Sequence, residues 1–191
     1  MTDYRFPGDE AVLFALNGLD WPWLDAIFVA ASSRTFGVCM AVVLSLWLLA
    51  VYRRKAARAV VQAVVACVLA DTVGHNLLKP WFHRMRPSIA LSNDAVRLFS
   101  DAAGTGYSMP SLHAATSFAF TVGLGLALPS TLKLTLPIAA LIAISRIGVS
   151  VHWPSDVAVG AVYGAAVAWG IDRVFRRVWR REAPGVPAAP S

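Results

Sequence analysis

The sequence of 191 residues is poor in charged residues and in cysteine. Asp, Glu, Lys and Arg make up 15% of it, whereas soluble domains carry about 25%. Its two cysteines, Cys39 and Cys67, both fall inside apolar runs, which excludes a disulfide framework and argues against a cysteine metal site. The opening residues, MTDYRFPGDE, lack the basic region of a cleaved signal peptide. The first apolar segment is therefore expected to stay in the protein.

The chain also lacks an internal repeat and a linker of the kind that separates domains. Residues 1–180 are therefore predicted to form a single membrane domain. Residues 181–191 are rich in proline and alanine, a composition typical of a disordered segment. We predict that they form a cytoplasmic tail.

The sequence is rich in long apolar runs, and 57% of its residues are hydrophobic. A helix of about 17 to 25 residues spans a bilayer, and five runs of roughly that length carry at most one charged residue each. A sixth run, 11–33, contains Asp20, Pro22 and Asp25, so it either spans the membrane or begins as an interfacial helix. The sequence predicts an all-α polytopic bundle of about six transmembrane helices. The five clear runs are 36–52, 59–78, 112–132, 134–155 and 157–171.

The net charge of +6 does not indicate a nucleic-acid-binding protein, because the basic residues cluster at alternate ends of the predicted helices. The positive-inside rule makes that side of the membrane cytoplasmic. Residues 79–110 and 151–155 then lie on the extracytoplasmic side of the cytoplasmic (inner) membrane. The basic clusters are Arg53, Arg54, Lys55 and Arg58, then Lys133, then Arg173, Arg176, Arg177, Arg180 and Arg181.

Lys79 and Arg86 lie in the first extracytoplasmic motif, KPWFHRMRP (79–87). The preceding helix is expected to end near Pro80, because the residue before a proline avoids helical geometry. Lysine offers a point charge and arginine a planar fork, so the pair can converge on one phosphate. Alternatively these cations snorkel from a helix end to the interface, which is the role predicted for Arg84.

Ser111 and His113 lie in the second motif, PSLH (110–113), at the start of an apolar run. Pro110 suits a first helical turn, and Ser108 or Ser111 can cap the helix. The free N–H groups of a helix N-terminus form an anion site, to which Ser111 adds a hydroxyl and His113 an imidazole. An ordinary capped helix with an interfacial histidine gives the same pattern, so this motif is weak in isolation.

Arg146, His152 and Asp156 lie in the third motif, SRIGVSVHWPSD (145–156). A charge inside an apolar span is costly and usually functional, which singles out Arg146. Asp156 follows His152 by four residues, so its carboxylate can accept the imidazole N–H and leave the other nitrogen as a nucleophile. An aspartate that favours the helix dipole beside an interfacial histidine is the alternative. The three motifs together supply the parts of a site that binds and cleaves a phosphate ester.

The spacing of the motifs, Lys-x6-Arg-Pro, Pro-Ser-x-His and Ser-Arg-x5-His-x3-Asp, resembles the type 2 phosphatidic acid phosphatase (PAP2) family. The resemblance covers 79–156 and implies a membrane lipid phosphatase that needs no cofactor. It implies that His152 forms a phosphohistidine, that Asp156 orients His152, and that His113 protonates the leaving oxygen and then activates water. Three fixed cations can replace a metal ion, so metal-independent turnover is predicted. The phosphate-binding residues implied by the resemblance are Lys79, Arg86, Ser111, Leu112 and Arg146.

Two features fall outside this pattern. Many family members have glycine at the position of Leu112, where glycine lets the backbone approach the phosphate; leucine keeps the N–H group but adds bulk. Asp71, His75 and Lys79 are spaced to share one helix face. They either orient Lys79 or, as we favour, Asp71 and His75 satisfy each other inside the bundle.

A site at the outer interface of a small helical bundle suits a lipid phosphate, with loop 88–107 lining the entrance. Small size and an outward-facing site favour undecaprenyl diphosphate, and phosphatidylglycerophosphate and phosphatidic acid are the alternatives. Vanadate-dependent haloperoxidases share the motifs, but they are typically larger and soluble. A lipid or phosphate transporter would have no need of a nucleophile. A phosphotransferase would use the same residues as a hydrolase, so the sequence leaves these two open.

Overall fold

The computed structural model describes residues 1–91, 95–99 and 106–181, apart from the side chains of residues 55 and 179–181. These residues are nearly all helical, and they form no β-strand beyond an isolated bridge between Thr2 and Arg84. The helices are α1 (Asp9–Asn17), α2 (Pro22–Ser32), α3 (Arg34–Tyr52), α4 (Arg54–Val73), α5 (Lys79–Phe82), α6 (Pro87–Ala90), α7 (Leu112–Ala127), α8 (Leu132–Gly148) and α9 (Pro154–Arg181).

Four helical segments are long and apolar enough to cross a membrane. The first apolar run forms α1 and α2, which are bent by 119° relative to each other and would together make a fifth span. Helix α7 is apolar but has 16 residues, fewer than the roughly 20 that usually span a bilayer. The predicted all-α membrane bundle is confirmed, and about six spans result only if the bent pair and α7 both cross. The four long segments are Arg34–Tyr52, Ala56–Phe82, Pro129–Gly148 and Pro154–Val178.

Helix α7 lies at the centre of the bundle and packs against α4, α8 and α9. Small residues allow this close approach, as is usual between membrane helices. A Cβ atom on Gly164 of α9 would overlap the carbonyl oxygen of Ala115, and one on Gly123 would lie 2.9 Å from Cα of Ala63. The N–H of Ser111 donates to the carbonyl oxygen of Asp156 at 3.0 Å. The close packing therefore joins the starts of α7 and α9, where the second and third motifs lie.

The basic clusters lie at the opposite end of the bundle from the motifs. Arg176 donates to the carbonyl oxygen of Leu126 at 3.2 Å, which joins the far ends of α7 and α9. Tyr52 at the end of α3 and Ser130 before α8 line one apolar cleft of about 110 Å³. The loops that the sequence predicts on one side of the membrane are thus close together in the fold.

The helix that carries Lys79 ends at Phe82, two residues past Pro80, but Lys79 itself is helical, so the expectation that the residue before this proline avoids helical geometry was wrong. Gly74–Leu78 form a π-helical turn, and α5 continues through Lys79 and Pro80 until His83 adopts a left-handed conformation with φ 49°. A proline ring clashes with the carbonyl group four residues earlier in an α-helix, and the wider turn directly before Pro80 relieves that clash.

The π-helical turn also changes which side chains share a face. Lys79 is buried, whereas His75 is exposed to the outside of the bundle. The hydrogen bonds and ion pairs of the described residues include none between Asp71 and His75. Both interpretations of the Asp71, His75 and Lys79 spacing were therefore wrong, because an extra residue in the turn rotates Lys79 away from that face.

Candidate active site

Lys79 and Arg86 are both buried at the motif end of the bundle, with exposed fractions of 8% and 6%. The Nζ atom of Lys79 donates to the carbonyl oxygens of Tyr107, at 2.5 Å, and Ser108, at 3.4 Å. Arg86 donates to the carbonyl oxygens of Tyr107, at 3.3 Å, and Val151, at 2.9 Å. Main-chain oxygens just before the second motif and within the third thus hold the two cations of the first motif in place.

Arg146 joins this site from the last turn of α8. Its Nη1 atom donates to the carbonyl oxygen of Ser32 at 2.6 Å and also bonds the hydroxyl of Ser32, at the end of α2. The carbonyl oxygen of Arg146 accepts the N–H of His152 at 3.2 Å. The turn between α8 and α9 therefore folds back so that the cation and the histidine of the third motif lie together.

His152 lies between a carboxylate and a cation. Its Nδ1 atom is 3.5 Å from Oδ2 of Asp156, and its Nε2 atom is 3.4 Å from Nη1 of Arg86. Asp156 is fully buried and accepts the N–H of Trp153 at 2.8 Å and the hydroxyl of Ser108. A hydrogen on Nδ1 suits this arrangement, because it leaves the lone pair of Nε2 on the side of the cations.

The electrostatic surroundings keep His152 neutral. Burial, followed by the nearby charges of Arg86, Lys79 and Arg146, holds the pKa of His152 well below its usual range. The imidazole is therefore unprotonated at pH 7, and a neutral ring nitrogen is the form that can act as a nucleophile.

Four polar atoms of the described residues in this region are buried without a hydrogen-bond partner. They are Oγ of Ser111, Nε2 of His113, Nε of Arg146 and, in the turn between α8 and α9, Oγ of Ser150. Buried polar groups normally have partners, and the first N–H groups of a helix such as α7 have no intrahelical acceptor. An anion among these groups would accept hydrogen bonds from Ser111, Arg146 and the start of α7.

The expected helix cap at the start of α7 is wrong. Ser111 makes no capping hydrogen bond, and the hydroxyl of Ser108 bonds Asp156 instead. Leu112 fits because the π-helical turn after α4 begins with a glycine opposite it: a Cβ atom on Gly74 would lie 2.5 Å from Cδ2 of Leu112. The bulk that the sequence places at position 112 is thus taken up against the π-helical turn.

Arg84 and Asp9 are the residues that the sequence analysis missed. Snorkelling of Arg84 was the wrong expectation, because its side chain has an exposed fraction of 0% and pairs with Asp9 at 2.5 Å and Asp156 at 2.6 Å. This arginine is therefore part of the interior, where removing one partner of a buried ion pair costs about 3–5 kcal/mol. No sequence signal links it to Asp9, which lies 75 residues away.

Residues 59–180 match the family model described as the PAP2 superfamily. The chain belongs to the PAP2 superfamily. It is 28% identical over 174 residues to a lipid A 4′-phosphatase of Bacteroides thetaiotaomicron, covering 88% of this chain and 77% of that protein. It is 26% identical over 177 residues to a lipid A 4′-phosphatase of Porphyromonas gingivalis, covering 91% and 75%.

Two solved structures share the fold of this PAP2 protein. A transmembrane PAP2 type phosphatidylglycerolphosphate phosphatase from Bacillus subtilis superposes with a TM-score of 0.67 at 20% identity, covering 90% of this chain and 86% of that one. Aquifex aeolicus LpxE superposes with a TM-score of 0.67 at 24% identity, covering 88% and 97%. The predicted membership of the PAP2 family is confirmed, and the protein is an integral-membrane PAP2 lipid phosphatase.

Proposed function

We propose that this protein hydrolyses a lipid phosphomonoester through a phosphohistidine on His152, at the extracytoplasmic face and without a metal ion. The geometry of His152 carries the proposal. Its Nδ1 atom faces Asp156, while Nε2 faces the buried cations at 3.4 Å from Arg86. A phosphate held by these cations would present its phosphorus to Nε2.

The reaction has two steps. In the first, the Nε2 lone pair of His152 bonds to phosphorus, the ester P–O bond breaks, and His113 gives a proton to the leaving lipid oxygen. In the second, His113 takes a proton from water, the hydroxide displaces the histidine, and inorganic phosphate is released.

The charges of the site fit the requirements of both steps. Negative charge spreads over the equatorial oxygens of a transferring phosphoryl group and is stabilised by fixed donors. Lys79, Arg86 and Arg146 are such donors, and Ser111 contributes its hydroxyl. These four side chains, together with the backbone N–H of Leu112 and the other free N–H groups in the first turn of α7, are called here the phosphate cradle.

The substrate we favour is the 4′-phosphate of lipid A or a glycolipid phosphate like it. The lipid A 4′-phosphatases at 28% and 26% identity support a phosphomonoester on a sugar. Chain length and site placement favoured undecaprenyl diphosphate, and nothing in these relatives supports that choice.

The test is phosphate release by the purified protein in detergent with excess EDTA. We expect lipid A 4′-phosphate to be cleaved with a kcat/KM about tenfold or more above that of undecaprenyl diphosphate, phosphatidylglycerophosphate and phosphatidic acid. Faster cleavage of undecaprenyl diphosphate would overturn the substrate assignment. Loss of activity in EDTA with recovery in Mg²⁺ would overturn the metal-free mechanism. Binding without release from any substrate would favour a transporter.

The outward-facing site has its own test. The basic clusters at the other end of the bundle support the orientation. We expect Ala95→Cys, in a Cys39→Ser background, to react with a membrane-impermeant maleimide on intact cells. Lys133→Cys, which is also exposed but at the opposite end, serves as the matched control and should react only after permeabilisation. The reverse labelling would place the site in the cytoplasm.

A further inference from the structure

Asp9, at the start of α1, is a buried carboxylate with no part in the proposed reaction steps. Its exposed fraction is 2%. It accepts the N–H of Ser155 at 2.9 Å and the hydroxyl of Ser155 at 2.8 Å, across 146 residues of sequence. It also accepts the N–H of Phe6 at 3.0 Å. A carboxylate with this many donors is fixed in position, directly beside the first turn of α9.

Arg84 connects Asp9 to the active site. Its Nη2 atom donates to Asp9 at 2.5 Å, and its Nη1 atom donates to Oδ1 of Asp156 at 2.6 Å. The guanidinium lies 5.1 to 5.5 Å from the ring centroids of Tyr4, Phe6 and Trp153. The planar fork is therefore held between two carboxylates, and Asp156 uses its other oxygen to face His152.

The N-terminal segment is attached to the segment that carries Arg84. The N–H of Thr2 donates to the carbonyl oxygen of His83 at 2.8 Å. The N–H of Met85 donates to the carbonyl oxygen of Thr2 at 3.0 Å. The Nε atom of Arg84 donates to the carbonyl oxygen of Tyr4 at 3.1 Å. The residues before α1 and the first motif thus form one unit around the guanidinium.

We propose that Asp9 is a positioning residue for the nucleophile, acting on His152 through Arg84 and Asp156. Two carboxylates and one guanidinium leave this trio with a net charge of −1. Because Arg84 shares its charge between two partners, Asp156 keeps negative charge directed at His152. Without Asp9, Arg84 and Asp156 would form a neutral pair.

The step that needs this charge is the attack on phosphorus. The imidazole becomes positive as Nε2 bonds to phosphorus, and a buried opposite charge stabilises that state. The inference rests on the proposed phosphohistidine mechanism. It adds that the trio, and not Asp156 alone, sets the charge opposite His152.

The test compares Asp9→Asn with Glu10→Gln, a change of the same type at the next residue, whose carboxylate is partly exposed and pairs with Arg5. We expect Asp9→Asn to lower kcat by about 10- to 100-fold, as for other groups that orient a reacting residue. The KM and the inhibition constant of inorganic phosphate should stay within about twofold, since the phosphate cradle is untouched. Asp9→Glu should recover part of kcat, and Glu10→Gln should match wild type.

A milder variant keeps the inference testable if Asp9→Asn loses phosphate binding. Ser155→Ala removes the hydroxyl that lies between Asp9 and Arg84 while leaving the backbone N–H, and it should lower kcat by about three- to tenfold at constant KM. Unchanged kcat in both variants, or an equal loss in Glu10→Gln, would overturn the role of Asp9. Activity that survives the His152→Ala substitution would instead overturn the proposed function, and with it this inference.

Discussion

His152→Ala is expected to lower kcat for lipid phosphate hydrolysis on the order of 10⁵-fold, the scale seen when a covalent nucleophile is removed. The reason is the position of the ring between Asp156 and Arg86, where it is neutral and its Nε2 atom faces the cations. Water cannot replace the imidazole, because it is a much weaker nucleophile. With alanine at position 152 the phosphate is therefore bound but not attacked. The substrate should therefore still bind with a KM close to that of wild type.

The measurement is single-turnover hydrolysis together with trapping of the phosphoenzyme. Wild type should yield an acid-labile, base-stable phosphoprotein, as expected for a phosphohistidine, and His152→Ala should yield none. His75→Ala is the matched control, because His75 is exposed on the outer face of the same bundle. Retained phosphoenzyme in His152→Ala would mean that another residue is the nucleophile.

His113→Gln is expected to lower kcat for lipid phosphates by about 10²- to 10⁴-fold, the usual contribution of a general acid and base. His113 is in the first turn of α7, and its Nε2 atom is buried without a hydrogen-bond partner. That atom is free to give its proton to an alkoxide leaving group. A poor leaving group depends on this proton, whereas p-nitrophenolate leaves without it.

The choice of substrate separates the two roles of His113. With p-nitrophenyl phosphate, the variant should release a rapid burst of nitrophenol equal to the amount of enzyme, because the first step needs no acid. Steady-state turnover should then be slow, because water is no longer activated for the second step. A loss of the burst equal to the loss on lipid phosphates would contradict the assigned role, and His75→Gln should behave like wild type.

Local sequence patterns were sufficient for the fold class and for the choice of candidate residues. Apolar runs of bilayer length predict helices because burial of the backbone in lipid allows few alternatives. The charge of Arg146 inside such a run, and the four-residue spacing of His152 and Asp156, mark the site without knowledge of the fold. The structure brings these residues together with Lys79, Arg86, Ser111 and His113.

The sequence was less informative wherever a side chain is placed by a distant partner or by a break in helical periodicity. The π-helical turn at Gly74–Leu78 carries the helix through Pro80, gives Leu112 its space and buries Lys79. A spacing rule for regular α-helices cannot predict it. The bend of 119° between α1 and α2 was not predicted either.

By itself, then, the sequence determined a PAP2-type helical membrane protein and the candidate residues of a phosphate site, because hydropathy and short spacings are local properties. Only the tertiary structure decided that Arg84 is interior and that Asp9 and Asp156 hold it from both sides. Asp9 and Asp156 come together because α1 packs beside the first turn of α9, 146 residues further along the chain at Ser155. Contacts between residues so far apart depend on how the helices pack, and no local pattern in either segment encodes them.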